Sequence, residues 1–193
     1  MLRRRTRLVT FGHSWVAGRY PDRRVRSWPE RVARARGLRL RNHGRGSFEA
    51  PDVLRAVQRY VPRREDTVVV ETLLNDVRRF GTDPAGLARF KDALEGVLEH
   101  VGGPVGPTVI LLLDPPIRAW SAHVPMDRGS TDALCEYGDL TRSLCLGRPR
   151  TVVADAAAGW DITRDICDDG VHPSAAGTDH LARVVLAALE SAG

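Results

Sequence analysis

The sequence predicts an α/β fold, a parallel sheet covered by helices on both faces. Two observations carry that prediction. Five short runs of strand character alternate with stretches of helical spacing, an order that builds a parallel sheet through helical crossovers. No internal repeat, low-complexity tract or dividing linker interrupts the alternation, so one domain over residues 1–193 is expected.

The elements follow in chain order. Arg7–Phe11 is a strand, ended by Gly12. Ser27-Trp28-Pro29-Glu30 opens a helix: Ser27 can cap, Pro29 suits the first turn, and Glu30 favours the positive helix end. That helix runs to Arg36 and stops at Gly37. Leu38–Arg41 is a second short strand. Pro51–Val61 has helical spacing, with Val53, Leu54, Val57 and Val61 on one face and Pro62 beyond. Thr67–Glu71 is a buried strand by its β-branched content. Pro84–Val101 is a long amphipathic helix with Leu87, Phe90, Leu94, Val97, Leu98 and Val101 inward. Thr108–Leu113 is a strand stopped by Asp114-Pro115-Pro116, Thr131–Leu146 a helix and Thr151–Ala154 the fifth strand. Ser174–Ser191 is the last helix, with Leu181, Val184, Val185, Ala188 and Leu189 on its apolar face.

Composition excludes several classes. Of 193 residues, 42% are hydrophobic and 27% charged, an ordinary globular mix and not that of a disordered chain or a collagen. The longest apolar runs, Val184–Leu189 and Val109–Leu113, are far short of the roughly 20 residues of a membrane span. Cys135, Cys145 and Cys167 are odd in number and lack metal-ligand spacing, so free thiols are expected. The arginine-rich start is followed only by Leu8-Val9-Thr10-Phe11, too short for a signal core, and a cytoplasmic protein is expected. Charge is uneven. Residues 1–64 hold 18 Arg against four acids, a net +14, and residues 65–193 carry a net −9. Either the halves neutralise one another in the fold or the basic half meets an anionic partner.

In parallel α/β sheets, ligands bind beyond the carboxyl ends of the strands. The loops to read are therefore Gly12–Gly18, Asn42–Ser47, Thr72–Phe80, Asp114–Ser130 and Ala156–His172. In the first, Gly12-His13-Ser14 puts a serine hydroxyl just past a strand, where it becomes a nucleophile only if a base takes its proton. In the last, Asp169-Gly170-Val171-His172 lets a short loop bring a carboxylate to an imidazole, although Asp169 or Ser174 could simply cap the final helix. Asn42–Ser47 offers small residues whose N–H groups can approach a ligand, and Asn75 offers a side-chain N–H to a developing oxyanion. Each of these alone also reads as ordinary turn chemistry.

Together, in this order and spacing, Gly12-His13-Ser14, Asn42–Ser47, Leu73-Leu74-Asn75-Asp76 and Asp169-Gly170-Val171-His172-Pro173 resemble the four blocks of the SGNH/GDSL hydrolases. The resemblance spans Leu8 to about Leu186 and implies a three-layer α/β/α sandwich with a five-stranded parallel sheet, a flavodoxin-like arrangement. It also implies a serine esterase, deacetylase or thioesterase that forms an acyl-enzyme on Ser14. His172 would be the general base and Asp169 its orienting acid. Ser14 N–H, an N–H of Gly46 or Ser47 and the Asn75 side chain would form the oxyanion hole, with no cofactor or metal. Three residues depart from the family pattern: His13 stands for the usual Asp, Leu73 for a Gly, and Ser47 for the oxyanion Gly.

His13, Trp15 and Trp160 are the candidates for meeting substrate, although a structural role is preferred for His13 and core packing is the commoner role for an aromatic such as Trp160. Asp114–Ser130 is long enough for a lid. Glu71 reads as an ion-pair partner and Cys167 as a small buried residue. Two further functions fit the residues. An alcohol or amine could intercept the acyl group, giving an acyltransferase or cyclising enzyme. Alternatively, the chain could be a basic non-catalytic module, with Arg3, Arg4, Arg5 and Arg7 as an arm, though it lacks nucleic-acid motifs. The expected partner is a small acyl ester or thioester, anionic or carrier-bound. No membrane and no nucleic acid are expected.

Overall fold

The computed structural model describes residues 6–121 and 123–192. Its strands are β1 (Arg7–Gly12), β2 (Arg39–Asn42), β3 (Thr67–Glu71), β4 (Thr108–Leu113) and β5 (Thr151–Asp155). Its helices are α1 (Ser14–Ala17), α2 (Trp28–Arg36), α3 (Ala50–Val57), α4 (Leu73–Phe80), α5 (Pro84–Val101), α6 (Thr131–Cys145), α7 (Ile162–Asp165) and α8 (Ala175–Ser191). The strands form one parallel sheet in the order β2-β1-β3-β4-β5. The chain steps outward from β1 to β2 and then returns across β1 to β3. The strand order therefore reverses between β1 and β3, where such sheets open a crevice at their carboxyl ends.

Alternation along the strands divides the core in two. Val9, Phe11, Val68, Val70, Val109, Leu111 and Leu113 pack with residues of α3, α5 and α6. Leu8, Val69, Ile110, Leu112 and Ala154 face the other way, onto α1, α2 and α8. Side chains alternate across a strand, so a run such as Thr108–Leu113 must be apolar throughout to serve both layers. This is the expected three-layer sandwich. The expected start of α2 is also present, with the Glu30 carboxylate accepting from Ser27 N–H at 2.9 Å.

Four expectations change. Thr72–Phe80, read as a loop on its Asn-Asp pair, holds α4, and Leu73, Leu74 and Val77 are buried at helical spacing. The third helix ends at Val57 instead of Val61, which is left exposed. Arg7 is no arm residue: it sits in β1 with its guanidinium on the Asp66 carboxylate. Arg3, Arg4 and Arg5 lie outside the described residues. Asp114–Ser130 is tied down at both ends. Arg118 and Ala119 donate to the Gly170 carbonyl at 3.0 and 2.9 Å, and Arg128 donates to that of Arg78 at 2.9 Å. No described helix is long and apolar enough to cross a membrane.

Candidate active site

The turn that carries Ser14 forms because Gly12 allows it. Gly12 has φ 152°, and a Cβ there would lie 2.2 Å from the Glu71 carbonyl oxygen in the neighbouring strand. The chain can thus leave β1 sharply and start α1 at Ser14. Tyr20 O–H fixes the next turn by donating to the Trp15 carbonyl at 2.6 Å. On the opposite side, Asn42 donates to the Val16 carbonyl at 2.7 Å and accepts from Gly44 N–H at 2.8 Å. Gly44 presses so closely on α1 that a Cβ would lie 2.5 Å from Ala17 N.

The segment carrying Asp169 and His172 is a narrow loop. Cys167 N–H donates to the His172 carbonyl at 2.8 Å, and Gly170 N–H donates to that of Cys167 at 2.9 Å. Asp169 accepts from the N–H groups of Val171 and His172, both at 2.9 Å. Its other oxygen meets His172 Nδ1 at 2.6 Å, and His172 Nε2 lies 3.1 Å from Ser14 Oγ. Ser174 alone caps α8, accepting from Gly177 N–H at 3.2 Å. Partial burial would raise the Asp169 carboxyl, yet those two N–H groups and the His172 ring hold it below its ordinary value. A carboxylate at Nδ1 requires the proton there, leaving the Nε2 lone pair facing the serine hydroxyl. The arrangement can therefore take a proton from Ser14. A cavity of about 550 Å³ opens beside His172 and Asp169, bordered by Arg19, Tyr20 and Arg23.

Two of the expected oxyanion donors are tied to each other. Asn75, in the first turn of α4, gives one Nδ2 hydrogen to the Phe48 carbonyl at 2.8 Å and keeps the second. This joins Asn75 to the turn containing Gly46 and Ser47, closed by Phe48 N–H on the Arg45 carbonyl at 3.3 Å. Among the described residues, the N–H groups of Ser14, Gly46 and Ser47 have no protein acceptor. Ser47 has φ 61°, the left-handed conformation that favours glycine. Ser47→Gly is therefore expected to stabilise the fold by roughly 0.5–1 kcal/mol, the relieved strain exceeding the entropy gained by the unfolded chain. The backbone N–H stays, so turnover should be little changed; a chemical denaturation curve that moves to lower denaturant contradicts this account.

The substrate roles expected for His13 and Trp15 are corrected. Both are 0% exposed and cannot meet a ligand. His13 instead caps α1, its Nδ1 accepting from Trp15 N–H at 3.4 Å, so its proton is on Nε2, which donates to Asp114 Oδ1 at 3.1 Å. Asp114 Oδ2 accepts from Leu74 N–H at 3.0 Å. One buried carboxylate thus ties the turn before Ser14 to the turn before Asn75. Trp160 is half-buried and committed to packing: it stacks on Trp15 at 6.0 Å and donates to the Pro116 carbonyl at 3.0 Å.

Among the described residues, Glu71 forms no ion pair with a base. It is fully buried, accepts from Trp28 Nε1–H at 3.0 Å and lies beside the Asp114 carboxyl. Burial and that neighbour push its carboxyl well above the ordinary carboxylate range, which favours its protonated form. His13, Glu71 and Asp114 are metal-ligating types with ligand atoms within 4.8 Å of one another. The bonds among them and to Trp28 and Leu74 already give this buried trio a role in the fold.

Sequence reasoning missed Asp114, Arg78 and Asp76. Arg78 is 7% exposed, and its Nε and Nη2 have no partner among the described residues; the Asp169 charge acts on it. Asp76 accepts from Ala50 N–H at 2.8 Å, and burial, with Glu49 nearby, pushes its carboxyl up to about 8. A carboxyl raised in the folded state binds its proton more tightly there, so its contribution to stability is lost as pH rises from 3.8 to about 8. Asp76→Asn should flatten that decline in melting curves recorded from pH 5 to pH 9, and an unchanged slope would count against it.

Residues 10–180 match the GDSL-like lipase/acylhydrolase family. Solved structures of similar fold include an acetyl xylan esterase from Geobacillus stearothermophilus, crystallised as a variant, at 21% identity, 95% of this chain, 94% of that chain and TM-score 0.71. The carbohydrate acetylesterase Est24 from Sinorhizobium meliloti aligns at 17% identity, with 96% and 99% coverage and TM-score 0.70. A lipolytic protein of the G-D-S-L family from Veillonella parvula aligns at 15% identity, with 96% and 98% coverage and TM-score 0.71. No curated protein matches. The chain belongs to the GDSL-like lipase/acylhydrolase family, the SGNH hydrolases, and is an enzyme of their esterase class.

Proposed function

We propose that this protein is a cytoplasmic single-domain serine hydrolase that cleaves a small-molecule acyl ester or thioester through an acyl-enzyme on Ser14. The observation that carries the reading is the unbroken contact from Asp169 to His172 at 2.6 Å and on to Ser14 at 3.1 Å. His172 Nε2 takes the hydroxyl proton as Ser14 Oγ attacks the acyl carbonyl. Asp169 holds the ring in the required tautomer and stabilises the imidazolium. The carbonyl oxygen becomes an oxyanion among the N–H groups of Ser14 and the Gly46–Ser47 turn and the free Asn75 hydrogen. As the tetrahedral intermediate collapses, His172 returns its proton to the departing alcohol or thiol. Water, deprotonated by His172, then cleaves the acyl-enzyme by the same steps.

An acetyl group is the natural first acyl unit to test, since two of the similar structures are acetyl esterases by name. The substrate is further proposed to be anionic or carrier-bound, a reading supported by the arginines around Ser14. A fluorophosphonate probe phosphonylates an activated serine hydroxyl. Peptide mass mapping should find its label on Ser14, and labelling at another residue, or none, overturns the assignment.

A further inference from the structure

The basic half of the chain is only partly neutralised. Arg31 and Arg36 of α2 reach Asp179 and Glu190 of α8, and Arg7 is paired with Asp66. A different set is left over. Arg19, Arg41, Arg45, Arg59 and Arg63 line one cavity of about 650 Å³, and among the described residues none has a carboxylate within 4.0 Å. Five guanidinium groups gathered on one cavity repel one another unless an anion lies between them. Asp66, the acid bonded to two residues of the lining, already accepts from Arg7 and Tyr60.

The cavity is joined through its lining to the turn that carries Ser14. Arg19 N–H donates to the Ser14 carbonyl at 3.1 Å, and Arg19 borders both this cavity and the one beside His172. Arg45 N–H donates to the Gly12 carbonyl at 2.9 Å, one residue before the Gly46–Ser47 turn. The floor is apolar, formed by Val9, Phe48, Ala56 and the Tyr60 ring. His43 stacks on Phe11 at 4.9 Å, and its partial burial beside Arg41 lowers its pKa, so it adds no charge of its own at neutral pH.

We infer that this groove binds a phosphate or diphosphate group carried on the non-acyl part of the substrate, holding the acyl carbonyl at Ser14. The inference rests on the esterase reading above. Guanidinium groups bind the oxygens of a phosphate in pairs, and a multiply charged phosphate neutralises several arginines where a single carboxylate neutralises one or two. The apolar floor suits the carbon skeleton joining phosphate to acyl group.

The test uses sodium pyrophosphate as the probe and isothermal titration calorimetry as the readout, which needs no turnover. The full chain and its Ser14→Ala variant should both bind one pyrophosphate, less tightly as ionic strength rises. Joint replacement of Arg41, Arg59 and Arg63 by Ala should weaken binding about ten-fold or more. Joint replacement of Arg34 and Arg183, exposed arginines on α2 and α8 away from the groove, should leave it unchanged. Thermal melts confirm that each variant is folded. Absence of binding, or equal binding by the triple variant, overturns the groove assignment. Hydrolysis of p-nitrophenyl acetate by the unmodified chain is measured in parallel. It tests the esterase reading separately, so each can fail without the other.

Discussion

Replacing Ser14 with alanine is expected to lower turnover of p-nitrophenyl acetate by about 10⁵-fold while leaving the melting temperature nearly unchanged. The two halves of this expectation have separate causes. Chemically, alanine removes the atom proposed to attack the carbonyl, and what remains is the proposed oxyanion donors and a base with no nucleophile to serve. Structurally, among the described residues Ser14 Oγ makes one side-chain hydrogen bond, the 3.1 Å bond to His172 Nε2. The His172 side chain is 27% exposed, so water can take the vacated place without a buried group being orphaned. His172→Ala should cost about as much as Ser14→Ala, and the double variant no more than either, because the two groups act as one unit. Substantial hydrolysis by Ser14→Ala, or losses that multiply in the double variant, would remove the shared-proton mechanism.

How much of this was legible in the sequence depends on the distance over which each residue acts. The strands and long helices were visible because their burial is written in local periodicity, as in Pro84–Val101. The residues at the strand ends were visible as short blocks because Asp169 and His172 lie three positions apart and Gly12 directly precedes the turn at Ser14. The helix α4 was hidden by composition: Asn75 and Asp76 read as turn formers, although Leu73, Leu74 and Val77 already had helical spacing. The role of His13 could not be read locally. Its partner, Asp114, is 101 residues away, and only the sheet brings the two together. Ser47 was legible as a departure, but its left-handed backbone shows that the turn kept a glycine's conformation without the glycine.

Asp114 carries the second large expectation. Its two oxygens accept from His13 Nε2–H and Leu74 N–H, and it is 3% exposed. Asp114→Ala leaves both donors buried without an acceptor, an expected cost of about 3–5 kcal/mol. For a chain of this size that lowers the melting temperature by roughly 6–20 °C. Turnover should fall as well, even where the variant is fully folded. Asp114 holds His13 against the first turn of α1, which carries Ser14, and Leu74 beside Asn75, so without it the nucleophile and an oxyanion donor lose their common support. Asp114→Asn should recover only part of the stability, because an amide has one acceptor oxygen for two donors and turns its N–H₂ toward the other. Glu71→Gln is the informative contrast. Glu71 accepts from Trp28 in surroundings that favour its protonated form, and glutamine keeps an acceptor for the indole while offering N–H to Asp114. The glutamine variant should lie within about 1 kcal/mol of the parent in chemical denaturation. If Glu71→Gln proved as damaging as Asp114→Ala, Glu71 would have to carry the charge, and the assignment of Asp114 as the acceptor holding the two turns together would fail.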